Sequence, residues 1–593
     1  MQSADPQTPQ DDQEDNPHLE WLHLAQQLGE VWSKTLKISA INAHWNDKSA
    51  DPYNLQESVN RYVETITKNP EEFSKKQIQL WYDTYTAWQE TTLRFLGENI
   101  PEQTLNDRRF TSDAWELNPY FSFIKQAYLI TSQWVLRSIS DTKDLSDEDR
   151  KKLLFHTKQY MDALSPANFP TTNPEVIAET LKTGGENLLK GLQNLIKDLE
   201  RGDGKLAISM TDYKDFEVGK NIANTPGQVV YQNNLMQLIQ YTPTTPKVFK
   251  TPLLIIPPWI NKFYILDLNE KKSFVRWLVE QGHSVFLISW INPNERHKDT
   301  TWEDYMFEGG LEALKQIEKI TGERQVNAIG YCIGGTMLST LLAWMHKKKE
   351  GERIKSATFL TTMIDFSKSG DMQVFIDEEQ IELVEDQMNE QGFLNADYLK
   401  TTFSMMRAND LIWSFVINNY LMGKEPFAFD LLYWNDDSTN LSAKTHSFYL
   451  RNMYLRNRLI EKNTLELGGE TINIRDIKTP SYFLSTETDH IAPWITTYTP
   501  TSLFSGPVEF TLGASGHIAG VVNPPESGKY CHWKNDKNPA DPLAWKENAT
   551  QHNGSWWPDW QNWISKYTGE ETTARDIKDG IEPAPGSYVK VRS

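Results

Sequence analysis

The residues best suited to chemistry in this sequence are a cysteine, an aspartate and a histidine, far apart along the chain. Cys332 stands at the centre of Gly330-Tyr331-Cys332-Ile333-Gly334, with the apolar run Val326 to Gly330 before it and an apolar helical stretch after it. A strand turning sharply into a helix at such a box presents its nucleophile on a strained turn, and the flanking glycines leave room for neighbouring backbone. The thiol then sits at a helix N-terminus, where the dipole favours thiolate. The Ile333 amide would point at a developing oxyanion. The plainer reading, a buried structural thiol beside a glycine turn, is disfavoured by the strand before and the helix after. A thiolate exchanges with a thioester at little energetic cost and keeps the acyl group activated, which favours acyl transfer over hydrolysis.

The acid and then the base are expected downstream of such a nucleophile. The run Ser481 to Ser485 leads into Thr486-Glu487-Thr488-Asp489, and Pro507 to Leu512 leads into a loop where Gly513, Gly516 and Gly520 surround His517. Both loops leave the C-terminal ends of strands, where open α/β sheets place their sites. His517 would take the thiol proton, and Asp489 would orient the ring and stabilise its charge. Glu487 competes with Asp489 but is less well placed in the loop. His490, adjacent to Asp489, is read as structural, and Cys531, which follows no elbow, as an inert thiol. A second oxyanion donor is expected near Trp259 to Asn261. The cluster Ser555 to Trp560 is read as packing. No Cys/His cluster has zinc spacing, and neither an HExxH motif nor a phosphate loop occurs. No metal or bound cofactor is expected.

These residues need a scaffold. Pro252 to Pro258, Ser284 to Ser289, Val326 to Gly330, Ala357 to Met363, Ser481 to Ser485 and Pro507 to Leu512 are short apolar or β-branched runs, several separated by helical segments. That alternation predicts a parallel sheet covered on both faces. With the elbow, it predicts an α/β-hydrolase fold over 206–593. The alternation lapses between Met363 and Ser481, so a cap or lid insertion is expected at roughly 364–475. Residues 19–205 carry apolar residues at helical spacing and end in Arg201-Gly202-Asp203-Gly204, a plausible stop. They predict a mostly helical N-terminal domain. Residues 1–18 read as a disordered acidic tail, with no secretory signal of the usual kind.

The formal charge of -20 argues against nucleic acid as a partner. Two cysteines in 593 residues form no disulfide framework, which suits a reducing cytoplasm. No apolar stretch is long enough to span a bilayer. Composition and spacing leave two readings open, a cysteine acyltransferase and a thioesterase.

The sequence also resembles a known family, the class I polyhydroxyalkanoate synthases. The likeness is carried by GYCIGG (Gly330 to Gly335), PPWINKFYILDL (Pro257 to Leu268), SWINP (Ser289 to Pro293), FDLLYWNDDSTNL (Phe429 to Leu441), TDHIAPW (Thr488 to Trp494) and GHIAGVVNPP (Gly516 to Pro525). Asp107 to Gln126 and Ala163 to Val176 look similar too. The resemblance implies polymerisation of short-chain (R)-3-hydroxyacyl groups, chiefly 3-hydroxybutyryl, from coenzyme A thioesters. It implies catalysis by Cys332, Asp489 and His517, a homodimer, and a cytoplasmic enzyme at the surface of polyester granules. It also implies a cap that closes over the active site. Tyr331 resembles members with short-chain preference, and Ile333, where many members have Val, is a conservative departure. The rivals are a thioesterase or polyester hydrolase with the same triad and a non-catalytic granule scaffold.

Overall fold

A computed structural model describes residues 51, 53, 55–100 and 107–593. The expected acidic tail 1–18 and the first helical stretch, 19–50, lie outside the described residues.

The described residues open with helices that include Leu55–Lys68, Pro70–Phe95, Pro119–Ser140, Asp147–Ala163, Pro174–Thr183 and Glu186–Arg201. Their starts follow local chemistry. Asn118, Ser146 and Asn173 each accept a hydrogen bond from a first-turn amide, and Pro119 and Pro174 take first helical positions. Gly184, at φ 63, ends the fifth of these in a left-handed turn that a Cβ would strain.

The strands that follow form one sheet: β1 Gly227–Gln232, β2 Met236–Tyr241, β3 Leu253–Ile256, β4 Val285–Trp290, β5 Val326–Tyr331, β6 Ile354–Leu360, β7 Ser481–Thr486, β8 Val508–Gly513, β9 Cys531–Lys534, β10 Thr550–Asn553 and β11 Glu582–Pro583. Their spatial order is β10-β9-β8-β7-β6-β5-β3-β4-β2-β1-β11. The middle, from β8 to β4, is parallel throughout. These are the runs that the sequence marks as strands. The flanks are antiparallel, which extends the expected parallel sheet into a mixed one. The central strands β3, β4 and β5 are buried along their whole length, which accounts for their unbroken apolar runs.

Packing on the two faces differs. One face carries the helix Ile333–Lys347, almost wholly buried, beneath a core that includes Met337, Leu341, Phe359 and Phe483. The other carries Phe274, Trp277, Trp556, Trp557 and Trp560. Trp560 is completely buried and its indole donates to Thr358 Oγ1 at 2.9 Å. The Ser555 to Trp560 cluster therefore packs under the sheet.

Between β6 and β7 the chain forms helices Glu378–Gln391, Ala396–Met406, Asp430–Asp436 and Ala443–Phe448, joined by π-helical stretches at Asn409–Trp413, Val416–Leu421 and Tyr449–Leu455. The N-terminal helices hold this segment. Tyr420 donates to Asp198 at 2.6 Å, Asn187 to the Leu421 carbonyl at 2.8 Å, and Lys152 pairs with Asp377. Phe155 packs among Met372, Val374 and Met406. No helix among the described residues is long and apolar enough to cross a membrane.

Trp560→Ala should lower the unfolding free energy by about 3–5 kcal/mol, the range for removing a buried aromatic side chain. Chemical denaturation measures it. A change below about 1 kcal/mol would place Trp560 outside the cooperative core.

Candidate active site

Cys332 sits between the last residue of β5 and the first of the helix Ile333–Lys347, at φ 52 and ψ -124. For a residue with a Cβ that backbone costs of order 1–3 kcal/mol and persists where its surroundings over-determine it. They do so here. The Cys332 amide donates to the Leu360 carbonyl on β6 at 2.9 Å, and its carbonyl accepts from Gly335 and Thr336 at 2.9 and 3.1 Å. A Cβ at Gly334 would lie 2.3 Å from the Ile256 carbonyl oxygen, and one at Gly330 would lie 2.5 Å from the Gly335 Cα. The glycines of the box are thus required by close backbone approach.

Asp489 and His517 converge on the same place from the loops after β7 and β8. His517 Nδ1 lies 2.6 Å from Asp489 Oδ2. The other carboxylate oxygen accepts the amides of Ile491 and Ala492, both at 2.9 Å, and Thr486 Oγ1 lies 3.3 Å from Oδ2. Both residues are buried. Burial alone would lower the pKa of the His517 imidazole. The Asp489 carboxylate outweighs it and, with the Cys332 sulfur on the ring's other side, pushes it up to about 10. Tyr331 stacks on the imidazole, with centroids 5.8 Å apart, and its hydroxyl reaches the His517 carbonyl at 3.3 Å. The structure therefore brings together the three residues expected to act in concert.

Ile333 is the first residue of its helix, so its amide has no acceptor within the helix. On the opposite side of Cys332 from His517 runs the loop after β3, where Ile260 and Asn261 border the same cavity. The loop's peptide planes are pinned by side chains. Trp290 donates to the Pro257 carbonyl at 2.9 Å and Trp434 to the Lys262 carbonyl at 2.8 Å. Thr439 reaches the carbonyls of Trp259 and Ile260 at 2.7 and 2.6 Å. Lys262 is buried against Asp437 at 2.8 Å, and Tyr264 donates to the same carboxylate.

Above Cys332 and His517 lies a cavity of about 310 Å³, walled mainly by apolar side chains from the segment between β6 and β7, among them Leu399, Phe403 and Leu450. His490, read as structural from the sequence, borders this cavity, as do Arg407, Tyr449 and Tyr454, which no sequence motif marks. Burial lowers the pKa of His490. Cys531 begins strand β9 and does not border the cavity, and Glu487 turns away to pair with Lys546 at 3.0 Å. No cluster of His, Cys, Asp and Glu that could hold a metal occurs among the described residues.

A thiol beside an imidazole that is bonded to a buried carboxylate, with a helix-terminal amide next to it, can form and resolve acyl thioesters. Comparisons with known proteins narrow this. The sequence is 44% identical over 582 residues to the poly(3-hydroxyalkanoate) polymerase subunit PhaC of Rhizobium meliloti (strain 1021), covering 97% of this chain and 95% of that protein. It is 44% identical over 547 residues to the poly(3-hydroxyalkanoate) polymerase of Methylorubrum extorquens, covering 91% and 90%. It is 42% identical over 510 residues to the PhaC subunit of Cupriavidus necator, covering 84% and 86%. Residues 106–278 match the family described as the poly-beta-hydroxybutyrate polymerase (PhaC) N-terminus, and residues 251–524 match the alpha/beta hydrolase fold.

The electrostatics of His517 are open to direct measurement. A pKa raised on folding means that its protonated form adds stability, complete below the ordinary value near ~6.5 and lost as pH rises toward the folded value. Asp489→Asn removes the carboxylate and leaves the burial. The His517 ring should then lose its proton at lower pH than in the wild type, as read from its ¹⁵N chemical shifts. An unchanged titration would mean that the carboxylate is not what holds the proton.

Proposed function

The chain belongs to the poly(3-hydroxyalkanoate) polymerase family and is an enzyme that makes this polyester, and from that premise we propose that it works by covalent catalysis on Cys332. Its substrates on this reading are short-chain (R)-3-hydroxyacyl-CoA thioesters, chiefly 3-hydroxybutyryl-CoA, and it releases coenzyme A. The observation that supports this most is the Cys332–His517–Asp489 relay opening into an apolar cavity.

The Cys332 thiolate attacks the thioester carbon while the Ile333 amide, with an amide of the Trp259 to Asn261 loop, holds the oxyanion. The carbon–sulfur bond to coenzyme A breaks, and the departing thiolate takes the proton held by His517. The hydroxyacyl group is left on Cys332. The 3-hydroxyl of another unit then gives its proton to His517 and attacks the acyl carbonyl. An ester bond forms as the bond to Cys332 breaks. Asp489 keeps the imidazole in one orientation and stabilises its charge throughout. The apolar wall over the thiol limits access of water to the acyl-enzyme. On the same reading the enzyme is a cytoplasmic homodimer at the surface of polyester granules.

With 3-hydroxybutyryl-CoA, coenzyme A release should be accompanied by insoluble polyester. The pellet is recovered, methanolysed and compared with free 3-hydroxybutyrate in the supernatant. Free acid accounting for nearly all the coenzyme A would make this chain a thioesterase.

Cys332→Ala should abolish coenzyme A release. In the wild type, iodoacetamide should modify Cys332 faster than Cys531, as followed by peptide mass spectrometry. Equal labelling, or activity surviving in Cys332→Ala, would remove Cys332 from the mechanism.

A further inference from the structure

The cavity above Cys332 contains a polar feature that the relay does not use. Tyr449 and Tyr454 both border it, and they lie five residues apart in the π-helical stretch Tyr449–Leu455. In an α-helix, residues five apart point roughly 140° away from each other. In an i→i+5 turn they come to the same face, and such turns recur at functional sites. Here the two rings meet edge to face, with centroids 5.2 Å apart at 84°. Phe366 wedges edge-on against both, at 5.7 Å from Tyr449 and 5.0 Å from Tyr454, and Trp302 stacks on Tyr449 at 5.6 Å. The Tyr449 phenol faces Thr336, on the helix that starts after Cys332, and Thr336 has already given its proton to the Met363 carbonyl at 2.7 Å. Burial raises the pKa of both phenols, and the nearby Cys332 sulfur adds to it, so both remain protonated at neutral pH.

A hydroxyl carried into an apolar pocket needs a hydrogen-bonding partner, or it loses its hydration without compensation. The acyl group on Cys332 carries such a hydroxyl on its third carbon, and a phenol can both donate and accept. We propose that the hydroxyls of Tyr449 and Tyr454 form the receptor for the 3-hydroxyl of the acyl unit on Cys332, and that this pair makes the enzyme select 3-hydroxyacyl over plain acyl thioesters. A site built to hydrogen-bond a substrate hydroxyl discriminates strongly against the analogue without it. The proposal rests on the reading of Cys332 as the acyl carrier.

The test compares single-turnover acylation of Cys332 by 3-hydroxybutyryl-CoA and by butyryl-CoA, in the wild type and in Tyr449→Phe and Tyr454→Phe. Coenzyme A release gives the rate, and the mass of the Cys332 peptide identifies the adduct. Both substrates undergo the same thioester exchange, so the ratio of their rates cancels any general loss of packing or folded fraction. The ratio should fall roughly 5-fold or more in at least one variant, the worth of one hydrogen bond. A ratio within about two-fold of wild type in both variants overturns the proposal, even where both rates drop together, because that pattern is packing alone. Absence of any Cys332 adduct in the wild type would instead overturn the covalent reading itself, and the two failures are told apart by the wild-type arm.

Discussion

A cysteine held at φ 52 between a strand and a helix is the constraint on which the rest of this structure depends. No isolated peptide would keep that backbone. It is kept because β5 is clamped between β3 and β6, because the Cys332 amide is bonded across to β6, and because the next helix caps itself on the Cys332 carbonyl. The clamp works at backbone-to-backbone range, so glycine is needed at Gly330 and Gly334. Strain of a few kcal/mol is tolerable only in a frame this redundant. The long parallel centre of the sheet is that frame.

The same frame sets the electrostatics. Asp489 is buried, yet two backbone amides and Thr486 accompany the ring of His517 at its carboxylate, so its charge is solvated by the protein. A carboxylate supported in this way raises the imidazole more than burial lowers it. Backbone strain and electrostatics therefore meet at one point, the Cys332 sulfur on the cavity floor.

How much of this is legible in the sequence depends on the periodicity each element obeys. The six parallel strands announce themselves because they are largely buried, so their runs are mostly apolar or β-branched. Cys332, Asp489 and His517 are legible because each follows such a strand directly. The antiparallel flanks are not. β1 and β2 carry Gln228, Gln232, Gln237 and Gln240, and β10 is exposed along its length. The segment between β6 and β7 is visible only as a lapse in alternation. Its π-helical stretches break the 3.6-residue period on which helix recognition rests, so Tyr449 and Tyr454 do not read as neighbours. Adjacency to Asp489 says nothing of the cavity, so the sequence does not show that His490 borders it while Asp489 turns to His517.

The hydrogen bonds from Trp434 and Thr439 to the loop after β3 give the cover a second character. These donors belong to the roof, and the carbonyls they grip belong to the floor opposite His517. Any displacement of Trp434 and Thr439 would break the bonds that fix those carbonyls, so the order of the cavity's cover and the order of the backbone beside Cys332 are one property rather than two.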